Sequence, residues 1–158
     1  MLELCTKIVD ILKQKGLTLS TAESCTGGLI AKSITDVSGC SSVFYGGVVS
    51  YDNSVKQGVL GVKEETLNTY GAVSYETARE MAQGVRRALN TDIGISTTGI
   101  AGPGGGTPTK PVGTVYIGIA TSDSVQSIRL NINENFSRSE IRAQACYQLL
   151  KLLLEKLS

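Results

Sequence analysis

Apolar residues recur along the first third of the chain at two spacings, which predict alternating helices and strands. A helical spacing predicts a first helix from about Leu2 to Gln14. The segment LTLSTA (17–22) is typical of a short buried strand, and the helix after it is expected to begin near Cys25 or Thr26. The β-branched and aromatic residues of VFYGGVVSY (43–51) predict a second strand.

The rest of the chain continues this alternation and adds a hairpin. Ser74 is the predicted N-cap of an amphipathic helix over YETAREMAQGVRRALN (75–90). A strand in DIGISTTGIAG (92–102) then leads into a glycine-rich turn. Residues 113–132 predict an antiparallel hairpin, and a last helix is expected over about 139–157.

These elements predict one domain of the α/β class over residues 1–158. Because helices alternate with strands and a hairpin comes late, we expect a three-layer α/β/α sandwich around a mixed β-sheet. A chain of 158 residues is long enough for one compact core and short for two. With no apolar run of bilayer length and no pattern of a signal peptide, we expect no membrane contact and a cytoplasmic location.

Composition narrows the chemistry further. A net charge of +1 does not indicate the strongly basic surface that is typical of nucleic-acid-binding proteins. The four cysteines include no C-x-x-C pair, which favours a reducing compartment and predicts neither a zinc site nor a disulfide scaffold. The chain has no histidine, which excludes Ser-His-Asp triads, Cys-His dyads and His-ligated metals. The general base of an enzyme would therefore be Lys, Tyr, Cys, a carboxylate or the substrate itself.

The segment TAESCTGGLIAKS (21–33) carries the first candidate chemistry, at a predicted strand-to-helix corner. Ligand sites in open α/β sheets lie at the carboxyl ends of strands. Ser24 would there face unpaired backbone N–H groups, which could stabilise an oxyanion. Taken alone, the segment favours a simpler interpretation in which Ser24 caps the helix. Cys25 ranks below Ser24 as a nucleophile because no histidine supports its thiolate.

Tyr51, Asn53 and Lys56 form a second candidate group after the end of a predicted strand. A lysine desolvated in a pocket has a lowered pKa and can serve as general base to a serine. The Tyr51 hydroxyl could relay the proton or donate to the oxyanion. Each residue also has a simpler interpretation, Lys56 as a solvated charge and Tyr51 as a rim aromatic, but the absence of histidine favours a Ser–Lys arrangement.

A glycine-rich segment, TTGIAGPGGGTPTKP (97–111), is the third candidate. It matches neither a Walker A loop nor the G-x-G-x-x-G pattern. Exposed N–H groups at Gly99 and Gly102 could still hold an anion, with added charge from Lys110. A plain mobile loop fits the composition equally well.

Two arginines, Arg138 and Arg142, stand near the start of the predicted last helix. Cations are unfavourable there because of the helix dipole, so their position indicates an anionic partner such as a phosphate. Taken alone, however, the two arginines favour the simpler interpretation that they pair with Glu134 or Glu140.

Taken together, these segments are similar to the CinA C-terminal domain family, and within it to the stand-alone bacterial nicotinamide mononucleotide amidohydrolases (PncC). The resemblance covers nearly the whole chain. It is carried by AESCTGG at 22–28, GGVVSYDNSVKQGVLGV at 46–62, GAVSYETAREMA at 71–82 and TGIAGPGGGTPTKPVGTVYIG at 98–118. One departure is FSRSEIR (136–142), which lacks a glycine of the family pattern and is shorter after its phenylalanine.

The resemblance implies hydrolysis of the carboxamide of nicotinamide mononucleotide to nicotinic acid mononucleotide and ammonia, without metal or cofactor. It implies Ser24 as the nucleophile, with Lys56 as base, assisted by Tyr51. The resemblance also implies Asn53 and Thr98 as substrate contacts and matches Arg138 and Arg142 to two arginines of the family pattern. The predicted substrate-binding set is completed by residues singled out on chemical grounds: Cys25, Thr26 and Gly27, whose N–H groups could hold the oxyanion, and Gly99 and Gly102, whose N–H groups could hold an anion. The family also commonly forms homo-dimers or larger homo-oligomers.

Two other functions stay open on the sequence. One is a non-catalytic nucleotide-binding or sensor module that keeps the pocket shape. The other is an amidase for a different small amide, because the sequence does not show which carboxamide fits.

Overall fold

Helices and strands alternate through the computed structural model, which describes residues 1–158. The helices are α1 (Leu2–Lys15), α2 (Leu29–Thr35), α3 (Asn53–Gly58), α4 (Glu64–Tyr70), α5 (Tyr75–Ala88) and α6 (Arg138–Leu157). The strands are β1 (Leu19–Glu23), β2 (Phe44–Val49), β3 (Ile93–Gly99), β4 (Thr114–Ala120) and β5 (Val125–Asn131). None of the helices has the length and apolar character needed to span a membrane.

The five strands form one mixed sheet in the order β2-β1-β3-β4-β5. Strand β1 pairs in parallel with β2 and with β3, whereas β4 is antiparallel to both β3 and β5. The predicted mixed sheet and the predicted hairpin are both confirmed. Because β1, β2 and β3 are parallel, their carboxyl ends at Glu23, Val49 and Gly99 meet at one edge of the sheet, which is where ligands bind in open α/β folds.

Two apolar cores, one on each face of the sheet, complete the predicted three-layer sandwich. The larger core packs α1, α2 and α6 against the sheet and includes Ile8, Ile95 and Leu149, all fully buried. The smaller core lies beneath α5 and includes Met81 and Val85. Helix α6 therefore packs mainly against α1, with further contacts to α2 and β4.

Most helix ends follow the sequence rules. Gly16 ends α1 in the left-handed conformation, with a φ of 65°. The Ser74 hydroxyl caps α5 by accepting the Thr77 N–H at 3.2 Å, as predicted. Helix α6 begins slightly before its predicted start because Ser137 and Glu140 form a capping box there.

Helix α2 is the exception, because it begins at Leu29 rather than at Cys25 or Thr26. Gly27 and Gly28 have φ values of 58° and 94°, so the chain makes a turn between β1 and the helix. The expectation that Ser24 caps this helix is also wrong, because its hydroxyl accepts none of the backbone N–H groups there.

Candidate active site

A pocket of about 240 Å³ opens at the carboxyl edge of the parallel strands. Ala72, Val73 and Ala101 form apolar parts of its wall. Its predicted members are Ser24, Cys25, Tyr51, Asn53, Lys56, Thr98, Gly99 and Arg138. The fold thus brings together residues from four sequence segments that were singled out separately.

Ser24 lies immediately after β1 with its hydroxyl free. Its N–H donates to the Thr97 carbonyl at 2.9 Å, which extends the pairing of β1 with β3 and fixes the residue in place. The side chain is only 9% exposed, and Oγ has no hydrogen-bond partner in the protein. The N–H groups of Cys25 and Thr26 also lack a protein acceptor, so a free hydroxyl and two free backbone donors are adjacent in the chain.

Lys56 is a buried lysine on α3, with only 2% of its surface exposed. Its Nζ donates to the carbonyl oxygens of Ser50 at 2.9 Å and of Tyr51 at 3.3 Å, and no carboxylate forms an ion pair with it. Burial lowers the pKa of Lys56 below its ordinary value of 10.5, against the opposing effect of the Asp52 charge. The alternative of a solvated surface charge is therefore wrong for Lys56.

Cys25 also lines the pocket, but its thiol is poorly suited to attack a substrate. Burial raises the pKa of Cys25 to about 12, because the thiolate would lose its hydration. The thiolate is the reactive form of cysteine, so little of it exists near neutral pH. The geometry favours Ser24 over Cys25 as the nucleophile.

Arg138 connects two sides of the pocket at its exposed rim. One of its terminal nitrogens donates to the Tyr51 hydroxyl at 2.7 Å, and the other donates to the Gly102 carbonyl at 2.7 Å. The Tyr51 hydroxyl makes no hydrogen bond with Lys56 or Ser24. Arg138 makes no ion pair with Glu134 or Glu140, the partners expected if it were a purely structural residue.

Four predicted residues, Thr26, Gly27, Gly102 and Arg142, do not line the pocket but lie next to it. Arg142 donates to the Thr26 carbonyl at 2.7 Å, so it supports the turn after Ser24. A side chain at Gly27 would approach the same guanidinium. Gly102 contributes its carbonyl to Arg138 rather than an N–H group to the pocket.

Three polar side chains hold the pocket walls, and sequence reasoning assigned none of them this task. Glu23 is 1% exposed and accepts hydrogen bonds from the turn and helix that follow it. The Thr98 hydroxyl donates to the Ala72 carbonyl at 2.7 Å. Lys110 donates to the Val73 carbonyl at 2.6 Å, so it joins the glycine-rich segment to the pocket wall. The only sequence signal for Glu23 was an acidic residue at the end of a strand that is otherwise buried.

The fold and this site define an α/β protein with a candidate Ser–Lys active site at the carboxyl edge of its sheet. The chain belongs to the CinA family: the family model described as the CinA C-terminal domain matches residues 2–157. The predicted resemblance to the CinA C-terminal domain family is thereby confirmed.

Its relatives are named as competence-damage inducible or CinA-like proteins. A putative competence-damage inducible protein of Thermoanaerobacter sp. (strain X514) is 55% identical over 146 residues, which cover 92% of this chain and 35% of the relative. A CinA-like protein of Leptospira borgpetersenii serovar Hardjo-bovis (strain L550) is 55% identical over 147 residues, with 93% and 35% covered. The chain thus spans about a third of the length of these relatives.

Solved structures match the chain over nearly its whole length. The competence/damage inducible protein CihA from Agrobacterium tumefaciens is 41% identical with a TM-score of 0.94, covering 98% of this chain and 93% of that one. A CinA superfamily protein from Enterobacter cloacae is 32% identical with a TM-score of 0.94, covering 99% and 92%. The α/β fold is therefore that of known CinA-superfamily structures.

Proposed function

We propose that this chain hydrolyses the carboxamide of nicotinamide mononucleotide to nicotinic acid mononucleotide and ammonia. One observation carries the proposal: Lys56, buried and without a carboxylate partner, lines the same pocket as the free Ser24 hydroxyl. A desolvated lysine loses its proton more readily and can then activate a serine. The choice of nicotinamide mononucleotide as the substrate rests on the motifs that this chain shares with the amidohydrolases of this family.

In the proposed reaction, neutral Lys56 takes the proton of the Ser24 hydroxyl as Oγ attacks the carboxamide carbon. The N–H groups of Cys25 and Thr26, which have no protein acceptor, stabilise the negative charge that develops on the amide oxygen. The Lys56 ammonium then gives its proton to the leaving nitrogen, and ammonia departs from an acyl-Ser24 intermediate. A water molecule, deprotonated by Lys56, attacks this ester, and the proton returns to Ser24 as the acid leaves.

Arg138 is the residue we assign to the nucleotide phosphate. Its present acceptors are a neutral hydroxyl and a carbonyl, and a phosphate would be a stronger acceptor for a guanidinium than either. Since the Tyr51 hydroxyl accepts from Arg138 and makes no hydrogen bond with Lys56, we assign the Tyr51 side chain mainly to holding this arginine. Asn53, Thr98 and Gly99 complete the proposed substrate surface.

The decisive test compares Ser24→Ala with Cys25→Ala in an assay of ammonia release from nicotinamide mononucleotide. We expect Ser24→Ala to lower kcat at least 1,000-fold, because it removes the nucleophile (on the order of the loss seen for serine hydrolases). Cys25→Ala should keep kcat within about tenfold, since it leaves the backbone N–H in place. Ser42→Ala, at an exposed serine away from the pocket, is the matched control. Full activity of Ser24→Ala together with an inactive Cys25→Ala would reverse the choice of nucleophile.

The same assay separates the two other functions. Binding of nicotinamide mononucleotide without turnover by the wild type would favour a sensor module. Faster ammonia release from another pyridine nucleotide or a free amide would identify an amidase with a different substrate.

A further inference from the structure

The buried carboxylate of Glu23, the residue before Ser24, is the centre of a hydrogen-bond network with the turn and helix that follow Ser24. Its Oε2 accepts from the Thr26 hydroxyl at 2.7 Å and from the N–H groups of Gly28 and Ile30 at 3.0 Å each. Its Oε1 accepts from the Ala31 N–H at 2.8 Å. One side chain thus binds both the turn after Ser24 and the first N–H groups of α2.

These contacts indicate what Glu23 does not do. Its side chain is absent from the pocket lining and is only 1% exposed, and four donors surround its two oxygens. A carboxylate used in this way is held as an acceptor by charge-assisted hydrogen bonds and has no access to a substrate proton. Glu23 is therefore neither the general base nor a substrate ligand.

The network selects which backbone donors of the turn stay unpaired. Glu23 takes the N–H of Gly28, and the Ser24 carbonyl takes the N–H of Gly27 at 3.2 Å. The N–H groups of Cys25 and Thr26 are left without a protein acceptor. These two N–H groups belong to the two peptide bonds that link Ser24 to Thr26, and Glu23 holds the Thr26 side chain in place.

The Thr26 side chain is held from two directions. Its hydroxyl donates to Glu23 and lies 2.7 Å from the Thr97 hydroxyl on β3, while its carbonyl accepts from Arg142 at 2.7 Å. The residue is fully buried. The orientation of the Thr26 peptide is thus coupled to Glu23 through a short contact inside the protein.

We propose that Glu23 is a positioning residue that aligns the N–H groups of Cys25 and Thr26 for the oxyanion. The inference rests on the proposed amide hydrolysis. Oxyanion donors act on the transition state and little on the bound substrate, so misaligning them lowers kcat and leaves KM unchanged.

The first test is Glu23→Gln, with kcat and KM measured for ammonia release and folding followed by thermal denaturation. The glutamine side chain keeps one acceptor oxygen and places an NH2 group against an N–H donor. We expect kcat to fall about 100-fold, the loss typical of one misplaced oxyanion donor, with KM within threefold of the wild type. A folded Glu23→Gln with kcat within threefold, or with only KM changed, overturns the inference.

Thr26→Val and Thr26→Ser form a second pair that is decisive even if Glu23→Gln does not fold. Valine matches threonine in shape but lacks the hydroxyl bonded to Glu23, whereas serine keeps it. We expect Thr26→Val to lower kcat about tenfold at constant KM and Thr26→Ser to keep most of the wild-type kcat. Equal kcat values for the two variants would contradict the inference.

The outcomes also distinguish this inference from the proposed function. A wild type that releases no ammonia from any amide contradicts both. An active wild type with unaffected Glu23 and Thr26 variants contradicts this inference alone.

Discussion

Lys56 is the residue on which the proposed chemistry depends most. It is nearly fully buried, and its nitrogen contacts only the carbonyls of Ser50 and Tyr51. Carbonyl oxygens stabilise the ammonium less than a carboxylate would, so burial is the dominant effect and the pKa of Lys56 is lowered. The same burial therefore favours the neutral form of Lys56, which can act as a base, and destabilises its charged form.

The pH dependence of catalysis follows from this pKa. Because the neutral form of Lys56 is the active base, we expect kcat/KM to rise with pH and to level off below 10.5, the ordinary pKa of lysine. Lys56→Arg keeps the positive charge but does not deprotonate, so kcat should fall at least 100-fold and the rising limb should disappear. A rising limb that persists in Lys56→Arg would contradict the role of Lys56 as base.

Stability should also depend on the protonation of Lys56. With a lowered pKa, the folded state releases the Lys56 proton at a pH where the unfolded state still holds it. Between the folded pKa and 10.5 the unfolded state binds more protons, so the free energy of unfolding rises with pH. We expect the stability of the wild type relative to Lys56→Met to increase as pH rises toward 10, measured by urea denaturation. A difference that falls with pH would show that the pKa is raised instead.

The contact between Arg138 and Tyr51 predicts how substrates are distinguished. Arg138→Ala should raise KM for nicotinamide mononucleotide about 10- to 100-fold, the value of a charge-assisted hydrogen bond. KM for the riboside, which lacks the phosphate, should change less than threefold. Tyr51→Phe removes one of the two acceptors of the guanidinium and leaves the Gly102 carbonyl, so a smaller rise in KM is expected. Equal effects of Arg138→Ala on both substrates would place the phosphate elsewhere.

At the scale of elements, the close approach of α5 to the sheet depends on glycines in the strands. A Cβ at Gly94 on β3 would overlap the Ala82 carbonyl of α5, and one at Gly118 on β4 would overlap the Ala78 carbonyl. Carbonyl groups of a helix cannot move without shifting the helix itself. The small core beneath α5 therefore depends on these glycines for its tight packing.

Gly94→Ala tests this packing, with Gly58→Ala as the matched control. We expect Gly94→Ala to lower the free energy of unfolding by about 1–3 kcal/mol, the usual cost of overpacking. Gly58 lies at the end of α3 with open space around it, so alanine there should be neutral or slightly stabilising. Chemical denaturation of both variants gives the comparison, and equal stabilities would mean that α5 adjusts freely.

For the whole molecule, the expected homo-oligomer remains a prediction. The edge strand β2 exposes Tyr45 and Val49, each with more than half of its surface accessible, and Tyr51 follows the same strand. Apolar side chains grouped on one edge are typical of surfaces that bind another protein. We expect sedimentation to give at least twice the chain mass of 16.6 kDa, and a mass of one chain at micromolar concentration would contradict this.

Local patterns in the sequence were sufficient for most of the architecture. Helical spacing predicted α1 and α5, alternation with strands predicted the three layers, and the hairpin followed from two β-rich segments with a short turn. Helix α2 was predicted too early because Gly27 and Gly28 were taken as part of it. Their φ values are positive, which is incompatible with an α-helix, and such values can be seen only in the folded backbone.

The sequence by itself determined which helices and strands form, because these depend on local spacing, and it restricted the general base to groups other than histidine. What the tertiary structure decided was contact and burial. Tertiary packing buries Lys56, so it is a desolvated residue rather than a surface charge. It also brings Arg138 into contact with Tyr51 across the pocket. Glu23, rather than Ser24, accepts from the first N–H groups of α2. The physical reason is that hydration and hydrogen-bond partners depend on segments far apart in the chain, which only the packed sheet and helices bring within reach.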